Sequence, residues 1–413
     1  MTPPDSPLAR HPLLSGKRVA LCVTGSIAAY KAAALARLLV KEGAQVTVLM
    51  SDSARELVGP ATFSGITGDK VYGNMFETGG ELHVELARSC QAVIVFPATA
   101  DSLARFAQGR ANDLIAALLL CTNAPVLIAP AMHPAMWHHP ATQRNVATLQ
   151  TDGRATLVGP VEGEVASGDT GMGRMVEPDT MLHAVRAALT KKDLQGRRLL
   201  ITSGPTVEDI DPVRFITNRS TGKMGFALAE RAAWRGAQVT LISGPSGLAT
   251  PDGVRRLDIR SATELQAQMA GVLGSDLQGV DALLMAAAVA DHRPQKTHET
   301  KLKRVEAGLQ LDLVANPDLL AEIGKKRQKN HPVLVGFAVE TGPDDEIEAL
   351  AKEKLIRKGL DLIVANPGAE ALGREDNRAQ LISTSRSERL PRLHKSDLAD
   401  RILDELVRLL TPA

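Results

Sequence analysis

Cysteine is scarce. The 413-residue chain has three, Cys22, Cys90 and Cys121, and none after them. All sit in apolar stretches without metal-ligand spacing, which excludes a disulfide framework or zinc site and fits a reducing cytoplasm. Net charge is nearly absent too, with 48 Lys and Arg against 47 Asp and Glu. That balance argues against a general nucleic-acid or anionic-membrane binder and leaves only local basic sites. No stretch reaches the roughly 18 consecutive apolar residues that a spanning helix needs. The opening MTPPDSPLARHPLLSG has no apolar h-region, so it does not read as a signal peptide. No GxGxxG with a ribose-binding acid follows the first predicted strand, which disfavours a nicotinamide dehydrogenase.

What is present is a regular alternation of apolar runs and helical stretches, with 44% hydrophobic residues to fill more than one core. Lys17–Thr24 predicts a buried strand. Gly25-Ser26-Ile27 predicts a tight, anion-favouring turn into a helix that Gly43 ends, and residues 44–51 predict a second strand. Helices over Leu82–Ser89, over Asp113–Cys121 and from Pro134 alternate with strands in 92–101 and 124–130. This βαβα order implies a parallel sheet covered by helices on both faces. A closing helix over Asp179–Leu189 and the charged, glycine-ended stretch 190–196 place a boundary near 191, giving domains 1–191 and 192–413. The same grammar then restarts: ALARLLVKEGAQVTVLMS at 34–51 is echoed by ALAERAAWRGAQVTLIS at 227–243. The expected class is α/β, with two Rossmann-like three-layer domains built on parallel sheets.

One connection breaks the pattern. The strand Leu199–Thr202 is followed by eighteen residues, Gly204 to Thr221, before a helix opens near Gly222. A mononucleotide-binding unit normally makes this passage in a handful of residues. Arg214, Asn218, Arg219, Ser220, Thr221 and Lys223 supply oxygen-binding groups, and Gly204, Gly222 and Gly225 allow close backbone approach. The expectation is a structureless insert that carries the chemistry. Further on come a helix Ala262–Leu273 and a strand running into Asp291 through the small residues 286–288. Lys301-Leu302-Lys303, a strand at 309–314 and an Asn316-Pro317-Asp318 helix cap follow, then a strand at 333–340. A helix Asp344–Lys358, a strand at 361–367, a mobile loop at 366–378 and a last helix Lys395–Leu410 complete the half. Lys354 and Lys358, at i and i+4, share one helix face. Such a pair is usually just solvated, but with Lys301 and Asp291 it suits a triphosphate and its metal ion.

These stretches also carry a resemblance. GPTVEDIDPVRFITNRSTGKMG at 204–225 resembles the signature of phosphopantothenate–cysteine ligases. Gly25-Ser26-Ile27, Ser51, residues 97–101 and 109–113, and PAMHPAMW at 130–137 resemble, in order, the flavin-dependent cysteine decarboxylases, which are flavodoxin-like. Together the chain resembles the bifunctional phosphopantothenoylcysteine decarboxylase/phosphopantothenate–cysteine ligases of coenzyme A biosynthesis.

The resemblance implies FMN at Gly25, Ser26, Ser51, Thr99 and Asn112, with His83 as the catalytic base; a lone helix histidine is otherwise more often structural. It implies CTP as co-substrate at Met285, Ala286, Ala287, Asp291, Lys301, Pro317, Asp318, Leu319, Leu320, Phe337, Lys354 and Lys358. Mg2+ or Mn2+ would be held through the phosphates near Asp291. Asn218 and Lys301 would be the ligase's catalytic pair, with Asn218 also contacting substrate, and the other substrates would be 4'-phosphopantothenate and L-cysteine. Family members are trimers in the flavin half and dimers in the ligase half, which implies a cytoplasmic dodecamer. Met132 and His133 would meet the decarboxylase substrate. Two positions depart from the pattern: His133 replaces an asparagine, and Ser167, in VASGDTGMGRM, replaces the flap cysteine that donates a proton. A thiol with a pKa of about 8.5 is a usable acid, and an alkyl hydroxyl is a far weaker one. The departures leave open a ligase with a structural flavin half, or a non-catalytic flavoprotein regulator. His133, His138 and His139 match no metal-ligand spacing, and Gly171-Met172-Gly173 reads as flap flexibility.

Overall fold

The computed structural model describes residues 12–76, 81–303, 309–368 and 373–411. The chain divides into two compact units, His11–Thr190 and the part from Lys191 onward. In the first, strands β1 (Arg18–Val23), β2 (Gln45–Met50), β3 (Val71–Tyr72), β4 (Ala92–Ala98), β5 (Val126–Pro130) and β6 (Ala155–Leu157) form one sheet in the order β3-β2-β1-β4-β5-β6. Every pairing is parallel. Alternate residues of β1 serve opposite faces. Val19, Leu21 and Val23 join the core formed with helices Tyr30–Lys41 and Pro178–Leu189. Ala20 and Cys22 join the one formed with helices Leu82–Ser89 and Leu114–Cys121. Burial pushes the Cys22 thiol above its usual range, so it is a packing residue. Strands β7 (Val161–Glu164) and β8 (Thr170–Arg174) form an antiparallel hairpin, so the Gly171–Gly173 stretch is strand rather than loose loop.

The second unit uses the same order. Its strands are β9 (Arg198–Ser203), β10 (Val207–Asp209), β11 (Phe215–Thr217), β12 (Gln238–Ser243), β13 (Val254–Asp258), β14 (Ala282–Met285), β15 (His292–Pro294), β16 (Leu313–Ala315), β17 (Val333–Glu340), β18 (Leu362–Pro367), β19 (Asp376–Asn377), β20 (Gln380–Ser383), β21 (Ser387–Arg389) and β22 (Leu393–His394). The main sheet runs β13-β12-β9-β14-β17-β18-β20-β21. Its first six strands are parallel, and β20 and β21 add antiparallel at one edge. Two apolar cores line its faces. The expected α/β class of two parallel-sheet, three-layer units is what the chain adopts.

Four local expectations need correction. The 204–221 insert is not structureless: β10 and β11 pair antiparallel, Val207 with Thr217 and Asp209 with Phe215. Asp211 drives the turn, since its Oδ1 accepts the Val213 and Arg214 amides at 2.9 Å each. The strand expected to run into Asp291 stops at Met285. Beyond it, Ala287 and Ala290 donate their amides to the hydroxyls of Thr202 and Thr206, and Ala288 donates to the Gly204 carbonyl. The strand expected at 309–314 is only Leu313–Ala315, and it pairs with β15 outside the main sheet. Within 366–378, residues 369–372 lie outside the described residues, while Asp376–Asn377 pair with Leu393–His394.

Candidate functional site

In an open parallel sheet the ligand crevice opens at the carboxyl ends of the strands, where the order reverses. In the first unit that point lies between β1 and β4. Ser26, after β1, accepts the Ala28 amide at 3.4 Å; Ser51, after β2, accepts the Ala54 amide at 3.2 Å. Thr99, after β4, accepts the Ser102 amide at 3.2 Å. The Thr24 hydroxyl donates to the Pro97 carbonyl at 2.9 Å and accepts the Thr99 amide, which ties the two strand ends together. Gly25, Ser26, Ser51 and Thr99 therefore share one edge, with hydroxyls and helix N-termini suited to an anion. Asn112 is exposed on the connection before helix Leu114–Cys121, and His83 is half-buried on helix Leu82–Ser89.

The β7–β8 flap lies against the 130–137 stretch. Met132 donates its amide to Gly173 O at 3.0 Å. Gly173 has φ 146°, and a Cβ there would meet Met132 O at 2.4 Å, so only glycine allows this contact. Asp169 accepts the Ser167 hydroxyl at 2.7 Å, and its Oδ2 lies 2.9 Å from His133 Nε2. The Ser167 hydrogen bond, followed by His133, holds the Asp169 carboxyl below its usual range. Ser167 and His133, separate in the sequence, thus meet at one carboxylate.

In the second unit the reversal falls between β9 and β14, and a cavity of about 790 Å³ opens there. Asn218, Met285–Ala287, Asp291, Pro317–Leu320, Phe337, Lys354 and Lys358 all line it. Asn218 Nδ2 donates to Ala288 O at 3.0 Å, which leaves its second amide hydrogen and Oδ1 for a ligand. At Gly225 an added Cβ would meet Ser203 Cβ at 2.5 Å, so glycine lets helix Lys223–Trp234 open close against β9. Lys354 is ion-paired with Glu340, and Lys358 lies 2.9 Å from Asp318.

Lys301 is not among the lining residues; it is exposed, next to a clamp. Asp211, 1% exposed, accepts the Leu302 amide at 3.1 Å, and Arg214 donates to Leu302 O at 3.0 Å. The Arg214 guanidinium, and then backbone amides, hold the Asp211 carboxyl far below the usual carboxylate range.

Sequence reasoning missed Asn366, Asn377 and Lys395, buried side chains on the same cavity wall. Asn377 Nδ2 donates to Asn366 Oδ1 at 2.8 Å, and Asn377 Oδ1 meets no protein donor among the described residues. Burial, followed by the charge on Lys223, lowers the Lys395 ammonium below its usual range. These three come together only in the fold; no local spacing marks them. Among the described residues, no group of three His, Cys, Asp or Glu side chains is placed to hold a metal ion, and no helix is long and apolar enough to cross a membrane.

Fold and geometry define a class: a two-unit α/β protein whose two sheets each reverse strand order at a crevice, one edged by hydroxyls that cap helix N-termini and one opening into a polar cavity. Residues 9–190 match the family described as Flavoprotein, and residues 194–410 match the DNA/pantothenate metabolism flavoprotein C-terminal domain. The coenzyme A biosynthesis bifunctional protein CoaBC of Haemophilus influenzae is 41% identical over 401 residues, covering 95% of this chain and 98% of that protein. A crystal structure of the C-terminal domain of a CoaBC protein is 36% identical and covers 53% of this chain and 98% of that one, with a TM-score of 0.45. The FMN-dependent cysteine decarboxylase SpaF is 32% identical over 43% of this chain and 97% of its own, with a TM-score of 0.37. The chain belongs to the CoaBC family of bifunctional coenzyme A biosynthesis proteins.

Proposed function

We propose that this chain converts 4'-phosphopantothenate and L-cysteine to 4'-phosphopantetheine, by CTP-dependent ligation in the second unit and FMN-dependent decarboxylation in the first. The observation that carries the reading is the β9/β14 cavity, where Asn218, Asp291, Lys354, Lys358 and the Phe337 ring line one space.

In the ligase half, the phosphopantothenate carboxylate attacks the α-phosphate of CTP, giving an acyl-cytidylate and pyrophosphate. Cysteine then attacks the mixed anhydride and releases CMP. Asn218 donates its second amide hydrogen to the acyl or phosphate oxygens, and Lys301 neutralises charge that develops on phosphorus. Phe337 offers an apolar face to the base, and the small residues Ala286 and Ala287 let backbone groups reach it. Mg2+ or Mn2+ enters with the phosphates near Asp291.

In the decarboxylase half, Ser26, Ser51 and Thr99, with the helix N-termini they cap, would hold FMN. FMN supplies the oxidation that puts an electron sink β to the substrate carboxylate, so that CO2 can leave. His83 acts as the base, and Met132 and His133 border the substrate. We place the protein in the cytoplasm as a dodecamer of trimers joined by dimers, which sedimentation of the purified chain tests. Mass spectrometry of products from CTP, cysteine and 4'-phosphopantothenate tests the function. CMP, pyrophosphate and phosphopantetheine are expected. Accumulation of phosphopantothenoylcysteine would leave a ligase with a structural flavin half, and absence of pyrophosphate would overturn the ligase reading.

A further inference from the structure

His133 and Ser167 are the two positions that depart from the decarboxylase pattern, and the fold brings both to Asp169. Ser167 donates its hydroxyl to Asp169 Oδ2 at 2.7 Å, and His133 Nε2 lies 2.9 Å from the same oxygen. The other ring nitrogen is committed, because Nδ1 accepts the Ala135 amide at 3.1 Å. A nitrogen that accepts carries no proton, so the neutral imidazole has its hydrogen on Nε2 and gives it to Asp169. The Met132 amide to Gly173 O bond makes a second tie between flap and loop.

With the flap in this position, His133 has no second N–H to offer and Ser167 no second O–H. Asp169 and a substrate carboxylate would compete for the same imidazole hydrogen. We propose that Asp169 is a positioning residue of the decarboxylase half. It fixes the His133 tautomer, docks the flap serine beside it, yields the His133 N–H to the substrate carboxylate on binding, and takes it back when CO2 leaves. His133 and Ser167 then work as one unit, joined through Asp169. Reduction of the enethiol left by decarboxylation takes up one hydride, returned from the reduced flavin, and one proton. Ser167, oriented by Asp169, relays that proton from water and is reprotonated by solvent.

The proposal rests on the decarboxylase reading, and the experiment separates the two. Asp169→Asn keeps the size and an acceptor oxygen but removes the charge. Given phosphopantothenoylcysteine, the variant is expected to keep its flavin and still release CO2, more slowly than the parent because the His133 tautomer is no longer fixed. The share of product recovered as phosphopantetheine falls about tenfold or more in favour of the oxidised enethiol. Adding His133→Asn makes this partition no worse, as expected for residues acting through one contact. In protein stripped of flavin, Asp169→Asn also speeds limited proteolysis within 161–174 several-fold, read by mass spectrometry. An unchanged product ratio and unchanged flap cleavage would overturn the proposal, as would losses at 133 and 169 that simply add. If the parent itself released no CO2, the decarboxylase reading would fail instead.

Discussion

The two units share a strand order and differ at the point where that order reverses. In the first, β1 passes to its helix through Gly25-Ser26-Ile27, and the crevice is dressed with hydroxyls that cap helix N-termini. In the second, β9 passes to helix Lys223–Trp234 through a folded hairpin whose flanking residues Gly204, Thr206 and Asn218 bond to residues 288–290 across the crevice. The difference teaches what a connection adds to a sheet. The sheet decides where an anion is held, because free amides and helix dipoles gather at its carboxyl edge. The connection decides which side chains reach the reacting atoms. On the proposed function, a unit that relies on a flavin for its hard step needs a cradle, and a unit that activates a carboxylate with a nucleotide must bring its own donors; Asn218, next after β11 on the cavity wall, is placed to be one.

Asn218→Asp is the sharpest way to break this comparison. It removes the amide hydrogens at the place where, on the proposed function, charge develops on oxygen, and one such donor is worth about 10²–10³-fold in rate. Ligation should fall by that order while decarboxylation of supplied phosphopantothenoylcysteine stays at the parental rate; an equal loss of both would show that the halves are not functionally separate. Asp211→Asn comes next. It loosens the clamp between the hairpin and Leu302, and so lets Lys301 drift. A misplacement of this kind costs up to about 10²-fold, so a ten- to hundredfold drop in ligation kcat is expected, with the KM for CTP nearly unchanged. The pH behaviour follows from the depressed Asp211 carboxyl. A depressed carboxyl stabilises the fold above its unfolded pKa of about 3.9 and loses that contribution as pH falls through the still lower folded value. The clamp is therefore complete at every pH above about 4, and Asp211→Asn should lower the melting temperature throughout that range. In the first unit, Ser51→Ala removes a helix cap worth about 1 kcal/mol. The Ser51 hydroxyl is also one of the groups proposed for FMN, so FMN affinity, read by fluorescence titration, should fall with no change in ligation.

Much of this was legible from the chain alone, for a physical reason. Parallel strands buried on both faces read as unbroken apolar runs, so β1, β2, β9 and β12 are visible without a partner. Asn218 stands out as an oxygen-binding group in an over-long connection, Asp291 at the end of an expected strand, and Lys354 and Lys358 on one helix face. What escaped depends on partners distant in sequence. The β10–β11 hairpin looked structureless because its turn is driven by the Asp211 side chain and its strands are three residues each. Residues 286–290 looked like strand because they prolong the apolar run of β14, yet the amides of 287, 288 and 290 go to Thr202, Gly204 and Thr206. Asn377 and Lys395 reach the cavity only because Asp376–Asn377 pair with Leu393–His394 just before the last helix. Asp169 carried no signal until the flap folded against His133.

The smallest expected effect concerns the lysines shared between helix and cavity. Lys358 faces Asp318 at 2.9 Å, and the aspartate side chain is half exposed. Such a pair is worth about 0–1 kcal/mol, because water screens it and ordering two side chains costs entropy. Asp318 has a second duty, for its Oδ1 accepts the Ala321 amide at 3.2 Å and caps helix Leu319–Lys326. Asparagine caps a helix about as well as aspartate. Asp318→Asn therefore keeps the cap and removes only the charge that competes with a triphosphate for Lys358. The KM for CTP should fall by up to about fivefold, the equivalent of 1 kcal/mol, with little change in melting temperature. Added salt should shrink the gap between variant and parent, since an exposed pair is screened most. A rise in KM would mean that the Asp318 carboxylate itself accepts a hydrogen bond from the nucleotide. The second crevice would then read its ligand with acidic groups as well as basic ones.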